Sequence, residues 1–357
     1  IRETLLGSDK LTWEKSYKTN IGLEMMLWGK LNLTLDYYWE RRKDILIQRS
    51  SLPSMAGFDA SIYANMGEMD NKGVDANLEY QTRIGNKVGL RLFGNLTYSK
   101  NKIVFRDEPA MQYAYQKSEG TRYGEFYGYI AEGYFQSEEE IKKSPRQMRE
   151  LAPGDIKYKD LNDDGVIDAN DQCYLGKSWF PSWSYGMGFN INYHNFDLAL
   201  FFQGVSDVSI MANGGSIDTG NGDWGASGVG IVPFTGMGLN PSNVITKALD
   251  RWTADNPRAD AWYPRMTANA TTNDNNYVNS THWLKDGSYL RLKQASLGYT
   301  LENKKLMDKG IEYLYFYLSG QNLLTFSKFK LWDPELGSNG AKYPLSRMVT
   351  LGMRVSF

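Results

Sequence analysis

Residues 31–39 read LNLTLDYYW, with Leu31, Leu33, Leu35, Tyr37 and Trp39 alternating with Asn32, Thr34, Asp36 and Tyr38. Successive side chains of an extended backbone point to opposite faces, so period two means a strand with one apolar and one polar face. The same alternation recurs in 73–82, 88–99, 184–194 and 346–357, and more weakly in 19–28, 197–206, 288–301 and 311–325. In 288–301 the apolar face switches near Lys293–Ala295, which predicts a β-bulge. Nine strands are expected. Their connections alternate without exception. Short turns at 29–30, 85–87, 194–196 and 302–310 interleave with long loops at 46–69, 105–183, 208–286 and 326–344.

An antiparallel meander with this rhythm puts all short turns on one side and all long loops on the other. That is the plan of an outer-membrane barrel, with short periplasmic turns and long extracellular loops. Its cause is the solvent: hydrocarbon offers no hydrogen bonds, so a spanning sheet must pair every strand and close. The competing architecture is a secreted β-sandwich, which also alternates, and the mean hydropathy of −0.50 points that way. The polar loops account for that value, and a sandwich has no reason to sort its connections by length. Nine is an odd number with two open edges, so further strands are expected to complete the wall.

Composition narrows the function. Forty Lys and Arg balance forty-one Asp and Glu, for a net charge of −1, so there is no basic field for nucleic acid. Cys173 is the sole cysteine and His194 and His282 the two histidines, which excludes a disulfide framework and a Cys/His zinc cluster. No run of about eighteen apolar residues is present. The opening IRETLLGSDKLTWEK carries no signal-peptide pattern and reads as the interior of a longer chain. No set of residues singles out a catalytic constellation, so an enzyme is not expected.

Two loops carry candidate sites. Residues 160–171, DLNDDGVIDAND, place Asp160, Asn162, Asp164, Val166 (through its carbonyl), Asp168 and Asp171 at positions 1, 3, 5, 7, 9 and 12 of a calcium loop, with Gly165 at position 6. Aspartate replaces the usual glutamate at position 12, which suits a structural calcium site rather than a sensor. Loop 208–286 holds Trp224, Trp262, Tyr263 and Tyr277 among amides and carboxylates, a composition suited to sugar capture or contact with a lid protein. In the same loop Asn240 and Pro241 predict a helix start, with Val244, Ala248, Leu249 and Trp252 on one face. Ser137 and Glu140 form a capping-box pattern for a helix over roughly 138–150. Cys173 is expected to be a small buried side chain.

Several stretches resemble the SusC/RagA family of TonB-dependent outer-membrane transporters. Asn65 to Asp75 is similar to the family's N-x-G-x-x-x-N-x-G-x-E segment, with Asp75 in place of glutamate. Gly154 to Asp171 resembles its G-D-x-x-(Y/F)-x-D-x-N-x-D-G-x-I-D segment, and Arg251–Pro257 with Pro264-Arg265 its R-W-T-x-x-N-P…P-R pair. Leu290–Tyr299 resembles L-R-L-K-N-x-x-L-G-Y, with Gln294 in place of asparagine. Ser319–Leu324 and Trp332–Glu335 complete a set that runs along nearly the whole chain in order.

The resemblance implies that residues 1–357 are the C-terminal part of a 22-stranded barrel whose plug and first strands lie upstream. It implies import of oligosaccharides or peptides, a SusD-like surface lipoprotein as lid, and TonB as the source of work. It also implies that the final strand, closed by Phe357, is read by the barrel-assembly machinery. The rival reading is a secreted, calcium-dependent carbohydrate-binding β-sandwich, which purifies without detergent.

Overall fold

The computed structural model describes residues 5–6, 11–51, 61–85, 87–213, 245–266, 275–308, 310–340 and 342–357. Nine long strands form one sheet: β1 (Lys15–Leu27), β2 (Leu31–Gln48), β3 (Ser61–Ile84), β4 (Val88–Phe105), β5 (Trp183–Tyr193), β6 (Phe196–Ser206), β7 (Tyr289–Leu301), β8 (Tyr313–Ser327) and β9 (Met348–Ser356). Each is antiparallel to its neighbour in the chain, and the order runs from β1 to β9 without a crossover. A two-residue strand, Leu5–Leu6, adds in parallel to the start of β3. Among the described residues β1 and β9 do not pair with each other, so the sheet is an arc with two edges.

The register shows why the alternation matters. Met25, Leu33, Leu78, Gly94, Met187, Phe202, Leu292 and Leu324 lie side by side across eight strands. The adjacent row is Glu24, Thr34, Asn77, Asn95, Gly186, Gln203, Arg291 and Thr325. One row is wholly apolar or glycine, the next wholly polar or glycine, and the two point to opposite faces.

Aromatic rows bound the apolar band. Tyr37, Val74, Tyr98 and Trp183 share one level; Tyr193, Phe196, Tyr299 and Phe316 share another, at the short-turn end. Trp183 and Tyr193 are the two ends of β5, about 33 Å apart along the strand at ~3.3 Å per residue. At the usual tilt this is a band about 25 Å tall, the apolar height of an outer-membrane barrel. Much of the band is exposed: Leu78 is 44%, Met187 46% and Leu324 51% accessible, while Leu292 beside the bulge is buried. On the polar face Arg91 grips Glu79 with two hydrogen bonds of 3.0 and 2.9 Å, and Thr97 donates to Asp75 at 2.7 Å.

The bulge falls where the face switch predicts it, since pairing of β7 shifts on both sides around Lys293. The short turns hold positive-φ residues, Trp28 and Gly29 in one, Gly85 in the next and His194 in the third, and a short helix, Lys304–Met307, fills the fourth. Two expectations are corrected. Strand β3 begins at Ser61, so the loop after β2 is shorter than 46–69. The helix after Ser137 ends at Lys143 rather than near 150, because Pro145 pushes Ser144 into extended backbone. Ser137 does cap it, accepting from the Glu140 amide at 3.2 Å.

The buried apolar core lies in the loops, not against the sheet. Phe126, Tyr134, Ile156, Tyr158, Trp252, Tyr263 and Trp283 pack together from loops 106–182 and 207–288. Two small ribbons order the first of these loops, Glu125–Gly128 with Cys173–Ser178 and Ala131–Tyr134 with Ile156–Tyr158.

A charge on the apolar face is expected to cost about 2–4 kcal/mol near mid-membrane and much less on the polar face. Leu78→Arg should therefore depress folding into lipid vesicles, read by heat-modifiable gel migration, while its neighbour Asn77→Arg should fold nearly as the parent. Equal behaviour of the two would contradict the assignment of faces.

Candidate functional site

The loop layer on the long-connection side, with the strand ends beneath it, carries the residues that chemistry would use, and ion pairs and close contacts build both. Asp155, fully buried, accepts from Arg265 Nη2 at 2.9 Å, Asn276 Nδ2 at 2.7 Å and the Ala152 amide at 2.9 Å. The Gly-Asp and Pro-Arg motifs, over a hundred residues apart, thus meet as one ion pair, its carboxylate buried and its guanidinium partly exposed. Gly154, at φ +93°, lies under the Trp252 indole, where a Cβ would collide with the ring. Arg291, buried on the luminal side of β7, forks onto Asp333 at 2.6 and 2.8 Å and approaches Glu335 at 3.5 Å. Gly73 on β3 lies against the Tyr38 ring and the Tyr98 carbonyl, and Asn65 bonds Thr12 and the Asp44 carbonyl. The motif residues are therefore mostly struts of the wall and the loop layer.

Asn275 and Asn276 were not singled out by sequence, yet both are fully buried. They stand in for a strand beside Ile156–Tyr158: Asn276 accepts from the Ile156 amide, and Asn275 donates to the Ile156 carbonyl. Gln147 closes the network, donating to Asn275 at 2.9 Å and accepting from the Tyr158 amide at 2.7 Å. No local pattern marks these residues, since their partners are supplied by distant loops.

The acidic loop curls around its own side chains. Asp160 Oδ2 accepts from the Gly165 amide at 2.8 Å, Asn162 Oδ1 from Asp164, and Asp164 Oδ1 from Val166. Asp163 and Gly165 take positive φ at the sharp turn. Asp160 Oδ1 is buried without a hydrogen-bond partner. Asp168 caps the short 3-10 helix Ala169–Asp171. Asp171 is fully buried, its oxygens accepting from the Leu161 amide at 2.7 Å and the Asp168 amide at 2.8 Å. Among the described residues no three His, Cys, Asp or Glu side chains gather into a metal-holding group. The first half of the loop fits a cation better than the second, where Asp171 already braces the backbone. Cys173 beside it is buried, and burial raises its thiol pKa, as befits an unreactive filler.

The aromatic candidates separate. Tyr263 is fully buried against Trp283, and Tyr277 stacks on the same indole at 5.2 Å, so both serve the core rather than a contact surface. Trp262 is half-buried and lines an open cleft. Trp224, Asn240, Pro241 and Val244 lie outside the described residues. Of the expected amphipathic face, Ala248 and Trp252 enter the core but Leu249 points outward, because the turn at Thr246–Leu249 is a 3-10 helix of one turn. His282 sits in this core; burial chiefly, with Lys285 nearby, lowers its pKa to about 3, so it is neutral. Phe357 is exposed just past the end of β9.

A family model described as TonB dependent receptor-like, beta-barrel, matches residues 3–323. TonB-dependent receptor P3 of Formosa agariphila is 28% identical over 99% of this chain and 35% of its own length. TonB-dependent receptor SusC of Bacteroides thetaiotaomicron is 23% identical over 98% of this chain and 32% of its own length. The chain therefore spans about a third of the curated relatives it matches. The RagAB peptide importer in its 'closed-closed' state superposes with a TM-score of 0.74 at 23% identity, over 99% of this chain and 36% of that one. At that identity the superposition speaks for the fold.

Arg265→Ala would remove the ion-pair partner of buried Asp155 while Asn276 and the Ala152 amide still donate to it, a loss below the ~3–5 kcal/mol of a fully buried pair. The expected readout is rapid protease cleavage within 106–182 while heat-modifiable migration of the wall is unchanged; resistance equal to the parent would contradict the strut role.

Proposed function

We infer the function from one premise: the chain belongs to the TonB dependent receptor-like β-barrel family, matched over residues 3–323. Its nine strands are part of an outer-membrane β-barrel wall of SusC-like and RagA-like kind. We propose that the protein containing this wall imports oligosaccharides or peptides across the outer membrane. In this reading a SusD-like lipoprotein lids the loop side, and TonB, acting on parts outside this chain, supplies the work. The carrying observation is the pair of adjacent rows, one apolar across eight strands and one polar across the same eight. Such a wall has hydrocarbon on one side and water on the other. The edges at β1 and β9 support the presence of further strands, since an open edge in lipid leaves backbone groups unpaired. A freely soluble sandwich is disfavoured because it would bury its apolar rows, and here Leu78, Met187 and Leu324 are exposed and Met25, Leu33 and Phe202 only partly covered.

The reading is tested in the native host. Loss of TonB, or collapse of the proton gradient, should abolish accumulation of the cognate oligosaccharide or peptide while the protein stays in the outer membrane. Accumulation that continues without TonB overturns it.

We propose further that calcium orders the acidic loop, with Asp160, Asn162, Asp164 and the Val166 carbonyl as its nearest oxygen donors, and with Asp168 and Asp171 completing the set only by giving up backbone hydrogen bonds they now accept. The buried, partnerless Asp160 Oδ1 supports this, because such an atom is a few kcal/mol unfavourable unless a cation or water meets it. Asp160→Ala with Asp164→Ala, or a chelator, should make the 105–183 loop protease-sensitive and leave the barrel intact. If calcium neither binds by calorimetry nor alters proteolysis, the proposal fails.

A further inference from the structure

On the loop side, between the strand Leu284–Asp286 and the loop after β8, lies a cleft of about 800 Å³. Two indoles border it, Trp262 and Trp332. Trp332 is fixed in place: its Nε1 donates to the Gly337 carbonyl at 2.8 Å, its ring meets Phe329 edge-on at 4.8 Å, and Gly340 leaves it room where any Cβ would collide. Lys285 is held over the Trp262 ring, its Nζ 5.2 Å from the centroid, by a 2.6 Å hydrogen bond to the His282 carbonyl. Burial, with Lys247 nearby, lowers the Lys285 pKa to about 8.

The charge around the opening is one-sided. Among the described residues Lys247, Lys285, Lys328 and Lys330 line it, against a single carboxylate, Asp286. Lys247 is paired with Asp250 at 2.8 Å, but Lys328 is exposed and reaches Asp286 only at 4.0 Å. The described lining thus offers the Trp332 indole and an excess of cationic donors.

We propose that this cleft is a subsite for a saccharide bearing carboxylate or sulfate groups, with a sugar face on Trp332, an anion on Lys285 where it caps the Trp262 ring, and further anions on Lys328 and Lys330. The inference rests on the import reading and names its substrate class. Sugar rings present flat C–H faces to indoles, and pendant anions are pure acceptors that match the ammonium groups. A glutamate-rich peptide carries the same anions but no flat ring to lie on the indole.

The test uses the full-length protein in detergent, titrated by calorimetry with a uronate oligosaccharide, a sulfated oligosaccharide, a neutral oligosaccharide of equal length and a glutamate-rich peptide. One or both anionic sugars should bind at least about tenfold more tightly than the neutral sugar and the peptide, a difference of ~1.4 kcal/mol. The arm that binds tells carboxylate from sulfate. Lys328→Gln with Lys330→Gln, both on the exposed rim, should remove that preference, as should salt near ~1 M, where the screening length falls to about 3 Å. Preference for the neutral sugar or the peptide, or an unchanged preference in the double variant, overturns the subsite. A parent protein that accumulates a neutral sugar or peptide by a TonB-dependent route, yet binds no anionic saccharide, overturns the subsite and leaves the importer reading standing.

Discussion

Backbone hydrogen bonding in a solvent that offers none is the constraint beneath this structure. A strand crossing hydrocarbon keeps its amides and carbonyls satisfied only by lying against another strand, and each unmet group is unfavourable by several kcal/mol. The unbroken antiparallel order from β1 to β9 is the response. With the backbone fixed, side chains have only the choice of face, and each row across the sheet is committed to lipid or to water. A slip of one residue would exchange the two everywhere, so turn geometry matters. Trp28-Gly29 and His194 adopt positive φ to close tight hairpins in register.

Because the wall turns its apolar residues outward, it cannot also supply a core. The loops must make their own. They do so with aromatic residues gathered from two long connections, and with ion pairs such as Asp155–Arg265 that tie distant segments to one arrangement. The result is a folded layer on one side of the barrel, rigid enough to present the acidic loop and the Trp262–Trp332 cleft. Pairs of this kind add little net stability, but they penalise every arrangement in which a partner is missing.

Much of the wall was legible in sequence, because period two is a local signal. The nine strands, their faces and the bulge at Lys293 follow from spacing alone. The first half of β3 was not, because past the aromatic row it runs through Asn65, Glu68, Asp70 and Lys72, where both faces meet water and no alternation is enforced. The loop layer was least legible. Tyr263 and Trp262 are neighbours of equal aromatic character, and only the packing of Trp283 decides that one is core and the other lines a cleft. The partners of Asn275 are nearly 120 residues away, beyond the reach of any window.

The four strands from β1 to β4 do not stop at the upper aromatic row. Beyond Tyr37, strand β2 continues to Gln48, about 36 Å more at ~3.3 Å per residue, carrying Arg41, Arg42 and Lys43. β5 begins at that same row, and β6 ends within a few residues of it. Along this arc the rim therefore changes construction, from a charged palisade of prolonged strands at β1–β4 to aromatic-packed loops over β5–β8, so its two flanks present different chemistry to whatever arrives from outside.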